Sequence, residues 1–123
     1  MSKVLIFNVA ESGHINPSLA LTQELISQGD QVKYYADSQF KAAIEATGAS
    51  FRASESSSFF SRATGMKGMP DMLLNFASII DELAPEIRVE KPDYVIYDSM
   101  CLWGRLLAEI LKVPAIRLSA THA

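Results

Sequence analysis

Apolar and polar residues alternate in blocks along this chain, and the blocks predict a regular succession of strands and helices. Val4 to Val9 is apolar except for Asn8, the pattern of a strand buried on both faces. A helix follows from Pro17 to about Gln28, capped by Asn16 and opened by Pro17. Leu19 and Ile26 are seven apart in it, Leu21 and Leu25 four apart, and Gly29 stops it. Val32 to Ala36 is a second strand. Asp37 or Ser38 caps a second helix, whose stripe is Phe40, Ala43, Ile44 and Thr47 and which Gly48 ends.

Ala49 to Arg52 is a short third strand, after which the periodicity stops. Ser54, Ser56, Ser57, Ser58 and Ser61, then Gly65, Gly68 and Pro70, describe a surface loop longer than most connections in an α/β unit. Two readings of it stand: a ligand-binding rim, to which Phe59, Phe60, Met66 and Met69 contribute apolar area, or a mobile insertion. Met72, Phe76, Ile80 and Leu83 then form the stripe of a third helix, which Pro85 kinks or divides before Glu90. Tyr94 to Tyr97 is a fourth strand, ending on Asp98. Leu102 to Leu111 is a fourth helix, with one row of Leu102, Leu106 and Ile110 and a second of Trp103, Leu107 and Leu111. Val113 to Leu118 closes the series as strand five.

Five strands separated by helices predict an α/β fold: an open parallel Rossmann-like sheet of order 3-2-1-4-5, flanked by helices. In that order strands one and four are neighbours at the switch point, where α/β sheets bind ligands. The turn after strand one carries His14 and strand four ends on Asp98, so both reach one crevice at the carboxyl edge.

Composition narrows the class. With 123 residues, 49% of them hydrophobic, the chain makes one domain with a real core and is not disordered. The last strand stops just before Ser119-Ala-Thr-His-Ala123, where an α/β protein often continues into another helix, so a boundary inside a longer chain is expected. Eleven basic and fourteen acidic side chains are mixed along the chain, a balance that argues against nucleic acid as partner. The single cysteine, Cys101, has no partner for a disulfide and no companions for a structural zinc site, which points to an intracellular, cytoplasmic protein. No apolar run approaches the ~20 residues that span a bilayer.

At such a crevice a neutral His14 can take a proton from a bound hydroxyl, while Asp98 accepts the other ring proton and favours the imidazolium that forms. A helix amino terminus opposes that charge, so Asp98 has to offset it. Polar capping or simple exposure is the plainer reading of the same histidine. Ser12 and Ser99 lie near the crevice but in no nucleophile-elbow pattern, and Cys101 reads as a buried structural thiol. Two histidines specify no metal centre. No GxGxxG or GxxxxGK[ST] run is present, and Asp37 is explained by helix capping, so no tightly bound cofactor is expected. Met100, Trp103 and Tyr97 either line an apolar acceptor pocket or pack in the core. His122 either touches the ligand rim or is simply exposed, and Arg105 either reaches the crevice or lies on a solvated helix face. The hydroxyls of Tyr34 and Tyr35, on opposite faces of strand two, imply no chemistry without a located partner.

The run Gly13-His-Ile-Asn-Pro-Ser-Leu-Ala-Leu21, followed by Glu24-Leu25 and Gly29, resembles the amino-terminal domain of GT-B glycosyltransferases of the UDP-glycosyltransferase superfamily, the bacterial macrolide group above all. The similarity continues through Val32 to Ala36, Phe40 to Ile44, Gly48-Ala49, Pro92 to Asp98, Trp103 to Glu109 and Val113 to Ala115, nearly the whole chain. The resemblance implies an acceptor-binding domain in which His14 deprotonates an acceptor hydroxyl and Asp98 supports it. The hydroxyl attacks the anomeric carbon of a UDP- or dTDP-sugar with inversion, and acceptors are small and lipophilic. Family enzymes carry a second Rossmann-like domain for the nucleotide sugar. The chain lacks it, so little activity is expected unless that domain is supplied in cis or in trans, and an uncovered apolar surface would favour self-association. Two other classes compete: a non-enzymatic module binding a small molecule or a protein, and a flavodoxin-like or oxidoreductase fragment, against which the missing dinucleotide fingerprint counts.

Overall fold

Strands that are apolar on both faces must be covered twice, and the helices divide between the two sides of the sheet accordingly. A computed structural model of the chain describes residues 2–8, 12–36, 38–53, 69–98 and 102–118, with side chains for 2–8, 15–36, 38–53, 77–98 and 103–118. The strands are β1 (Lys3–Phe7), β2 (Gln31–Ala36), β3 (Ser50–Ala53), β4 (Tyr94–Asp98) and β5 (Ala115–Leu118). They form one sheet in the order β3-β2-β1-β4-β5, the predicted order, and every pairing is parallel. The helices are α1 (Ser12–Ser27), α2 (Lys41–Glu45) after a 3-10 turn at Ser38–Phe40, α3 (Met69–Glu90) and α4 (Leu102–Leu111).

Alternation along the strands sorts the core into two layers. On one face Val4, Ile6, Val32, Tyr34, Ala36 and Ile96 pack with Ile15 of α1 and Ile44 of α2. On the other, Leu5, Phe7, Tyr35, Val95 and Tyr97 meet α3 through Ile79, Leu83 and Ile87, and α4 through Trp103, Leu107 and Ala108. The second predicted row of α4 is therefore the inward one, and Leu106 and Ile110 of the first row are exposed. α1 and α4 end alike: Asp30 N–H reaches Leu25 C=O at 3.1 Å and Val113 N–H reaches Ala108 C=O at 3.0 Å. These are six-to-one closures, with Gly29 (φ 96°) and Lys112 (φ 59°) in the left-handed position.

Several boundaries differ from the sequence reading. α1 starts at Ser12, not Pro17, and carries Pro17 inside it. Burying Ile15 completely against β1 and β2 favours the longer helix despite the ladder bond that Pro17 cannot donate. α2 is shorter than predicted. Its first residue follows Phe40, which makes no side-chain cap bond, and Ala43 faces solvent, because the 3-10 turn rotates the stripe so that Ile44 alone of the helix is buried. α3 runs unbroken past Pro85, which is exposed, and its inward stripe is Ile79, Leu83 and Ile87 with Ile80 only partly buried. The side chains of Met72 and Phe76 lie outside the described residues.

Charge fixes α3 where the apolar stripe ends. Glu86 and Glu90, one turn apart, reach down to cations on three strands: Lys3 Nζ to Glu90 at 2.6 Å, Lys33 Nζ to Glu90 at 3.0 Å and to Glu86 at 3.3 Å, and an Arg52 nitrogen to Glu86 at 2.9 Å. Hydrogen bonds from Lys3 and then Lys33 hold the Glu90 carboxyl below its usual value of 4.5.

Two outcomes follow from this packing. An added Cβ at Gly104 would stand 2.7 Å from Tyr97 Cβ, backbone-anchored and unable to swing away, so Gly104→Ala is expected to lower the urea unfolding free energy by about 1–3 kcal/mol. Because the folded pKa of Glu90 is depressed, the unfolded chain binds more protons in that window. The contribution of Glu90 is complete above about pH 4.5 and is lost as pH falls through the folded pKa. Glu90→Gln should flatten that part of the acid unfolding curve, and an unchanged curve would remove Glu90 from the account.

Candidate functional site

The carboxyl edge of the sheet is built where β1 and β4 lie side by side. Phe7 pairs with Tyr97, so Asn8 and Asp98, each one residue further on, end the two central strands together. Asp98 pairs onward with Leu118 of β5 and is 1% exposed. A carboxylate closed off from water is costly unless polar groups answer it, and such a group at a sheet's switch point is well suited to orient a base. The backbone of His14 lies in the first turn of α1, the helix that follows β1 at this same edge. Its side chain lies outside the described residues.

Beneath that first turn is a buried polar cluster. Asn8 Nδ2 donates to the Tyr34 hydroxyl at 2.9 Å and stands 3.5 Å from Ser18 Oγ. The Tyr34 and Ser18 hydroxyls are hydrogen-bonded, and Ser18 Oγ donates to Ile15 C=O at 2.6 Å. One turn on, Thr22 Oγ1 donates to Ser18 C=O at 2.8 Å. Asn8, Ser18, Thr22 and Tyr34 are all buried, so the inward face of α1 is polar at Ser18 and Thr22 between Ile15 and the partly buried Leu25 and Ile26.

The chain is 35% identical over 130 residues to the NDP-glycosyltransferase YjiC of Bacillus licheniformis, covering 98% of this chain and 33% of that protein. It is 35% identical over 132 residues to the uncharacterized UDP-glucosyltransferase YojK of Bacillus subtilis, covering 100% of this chain and 33% of that one. Among solved structures, that of the calicheamicin glycosyltransferase CalG4 superposes with a TM-score of 0.80 at 26% identity, over 100% of this chain and 33% of that chain. The chain belongs to the nucleotide-sugar glycosyltransferase family, as a domain of GT-B fold. No family model matches it. The domain spans about a third of the length of the curated relatives it matches.

Within this glycosyltransferase domain the predicted site residues fall into three groups. Asp98 and the backbone of His14 share the carboxyl edge. Trp103 is fully buried in the cluster with Phe7, Tyr97 and Leu107, the core position rather than a pocket wall. Phe59, Phe60, Met66, Met100 and His122 lie outside the described residues, as do Cys101, Ser99 and the side chain of Met69. Arg105 is exposed on the outer side of α4, 3.7 Å from Glu109, a solvated helix face. Among the described residues, no group of three or more His, Cys, Asp or Glu is gathered as a metal site, and no helix is long and apolar enough to cross a membrane.

A cavity of about 490 Å³ opens at the other end of the strands, lined by Lys3, Gln31, Lys33, Ser50 and Glu90 among others. Its lysines are engaged with Glu86 and Glu90, so it is the mouth of the ion-pair array rather than a second crevice. The sequence left the Tyr34 hydroxyl without a located partner and gave Ser18 no role. The available signal was Asn8, the one polar residue in an otherwise apolar first strand, which has to find buried partners.

The two neighbouring tyrosines of β2 make a matched test. Tyr34 Oη links Asn8 to Ser18, so Tyr34→Phe should cost about 1–3 kcal/mol in urea unfolding. Tyr35, stacked on Phe7 with ring centroids 4.8 Å apart, has a buried hydroxyl without a hydrogen-bond partner among the described residues, and burial followed by Glu86 and Glu90 drives its phenol pKa far above normal. Tyr35→Phe is therefore expected to be neutral or stabilising. Equal losses from both would contradict the assigned bonds.

Proposed function

We propose that this domain is the acceptor-binding part of an inverting glycosyltransferase, which moves a sugar from a UDP- or dTDP-sugar to a hydroxyl of a small lipophilic acceptor. What carries the reading is the buried Asp98 carboxylate at the switch point, at the same sheet edge as the helix that begins with His14. His14 takes the proton from the acceptor hydroxyl, and the oxygen attacks the anomeric carbon as the bond to the nucleotide diphosphate breaks. Asp98 holds the imidazole in its reactive tautomer and stabilises the imidazolium that forms. Phe59, Phe60, Met66, Met69, Met100 and His122 supply acceptor contacts, while Trp103 packs in the core. The nucleotide sugar is a co-substrate held mainly by a second, donor-binding domain supplied in cis or in trans, and the protein works in the cytoplasm. Family membership through relatives that are about three times as long supports this division of labour.

The test is transfer from a panel of UDP- and dTDP-sugars to phenolic and macrolide acceptors, for the chain alone and for the chain joined to a donor-binding domain. Transfer is expected only from the joined protein. His14→Ala should lower kcat by about 10²–10⁴-fold, with Asp98→Asn also slow. Activity indifferent to His14, or none across the panel from a folded joined protein, would overturn the assignment.

A further inference from the structure

We propose that Asn8, Tyr34 and Ser18 are positioning residues for His14, a one-way chain of hydrogen bonds that sets where the first turn of α1 sits on the sheet. The assignment rests on the reading of His14 as the base. Proton counting gives the chain its direction. The Asn8 amide nitrogen only donates, so the Tyr34 oxygen accepts at 2.9 Å. Ser18 has a single hydroxyl proton and spends it on the Ile15 carbonyl at 2.6 Å, so the proton between Ser18 and Tyr34 belongs to Tyr34. The order is Asn8 to Tyr34 to Ser18 to Ile15 C=O, from the end of β1 through β2 to the residue after His14.

Two observations explain why the turn depends on it. Pro17 lacks the N–H that the helical ladder would direct at the Gly13 carbonyl, so the turn holding His14 is short of one backbone bond. Apolar packing of Ile15 holds the turn down but is non-directional, whereas hydrogen bonds among groups 0–2% exposed fix both depth and rotation. The polar triangle thus supplies, from side chains of three elements, the constraint that the proline removes. General-base chemistry needs that precision, because a misplacement on the order of 1 Å can cost ~100-fold in rate.

The experiment follows His14 itself by 15N NMR of the imidazole in the intact chain. His122→Gln leaves His14 as the only histidine signal. Ser18→Ala and Tyr34→Phe should each shift the titration midpoint and tautomer ratio of His14, and the double variant should add nothing beyond either alone, since both cut one chain. Thr22→Ala removes a hydroxyl from the next turn of the same buried face and should leave His14 signals unchanged, which separates positioning from general loosening. In the protein joined to a donor-binding domain, Ser18→Ala should lower kcat about 10–100-fold at nearly constant acceptor KM. Should Tyr34→Phe fail to fold, the smaller deletion at Ser18 carries the test. Unchanged His14 signals in folded Ser18→Ala, or equal shifts from Thr22→Ala, would overturn the proposal. Transfer indifferent to His14→Ala would instead sink the catalytic reading, whatever the spectra of His14 do.

Discussion

Everything in this fold depends on β1 being closed off from water on both faces. Val4, Leu5, Ile6 and Phe7 are at most 1% exposed, and a strand with two apolar faces can be satisfied only at the centre of a sheet covered by helices above and below. With β1 central, β2 and β4 must flank it, and the edge positions fall to β3 and β5. The gap between strands one and four, where ligands bind in such sheets, is therefore a by-product of burying four side chains.

The two ends of the sheet handle polarity in opposite ways. Toward the amino ends of β1 and β2, and at Arg52 of β3, charged groups stay part-exposed, and Glu86 and Glu90 each serve two cations. At the carboxyl end Asn8, Ser18 and Tyr34 are neutral, wholly buried and hydrogen-bonded to one another. The first arrangement tolerates change because water can stand in for a lost partner. The second does not, since a missing bond there leaves a polar atom stranded. Precision is thus concentrated at the edge that carries Asp98 and the start of α1.

Strand order and the position of Asp98 were legible in the sequence because continuous apolar runs bounded by glycine and proline have few other uses, and parallel sheets admit few topologies. The errors cluster where one local rule met a stronger tertiary demand. Pro17 read as a helix start and Pro85 as a break, yet burial of Ile15 before the first and Ile87 after the second kept both helices continuous. Hydrophobic periodicity also located α1 by its leucines, while among its described side chains those buried completely are Ile15, Ser18 and Thr22. A small hydroxyl on an inward face is invisible to a hydrophobic pattern, because its burial depends on a partner such as Tyr34 in another element. A base at His14 with Asp98 as its partner, and an apolar rim, were read from the residues, whereas the sugar-transfer reaction came from the family resemblance.

Trp103 is the sole tryptophan of the chain and is wholly enclosed between α4 and the sheet. Its fluorescence is therefore a single-source optical reporter, emitting from an apolar surrounding when folded and from water when the α3 and α4 layer comes away. The emission is one-sided. An opening confined to α1, on the opposite face of the sheet, would leave the indole dark to the event, so an unchanged spectrum is compatible with a domain whose carboxyl edge has already come apart.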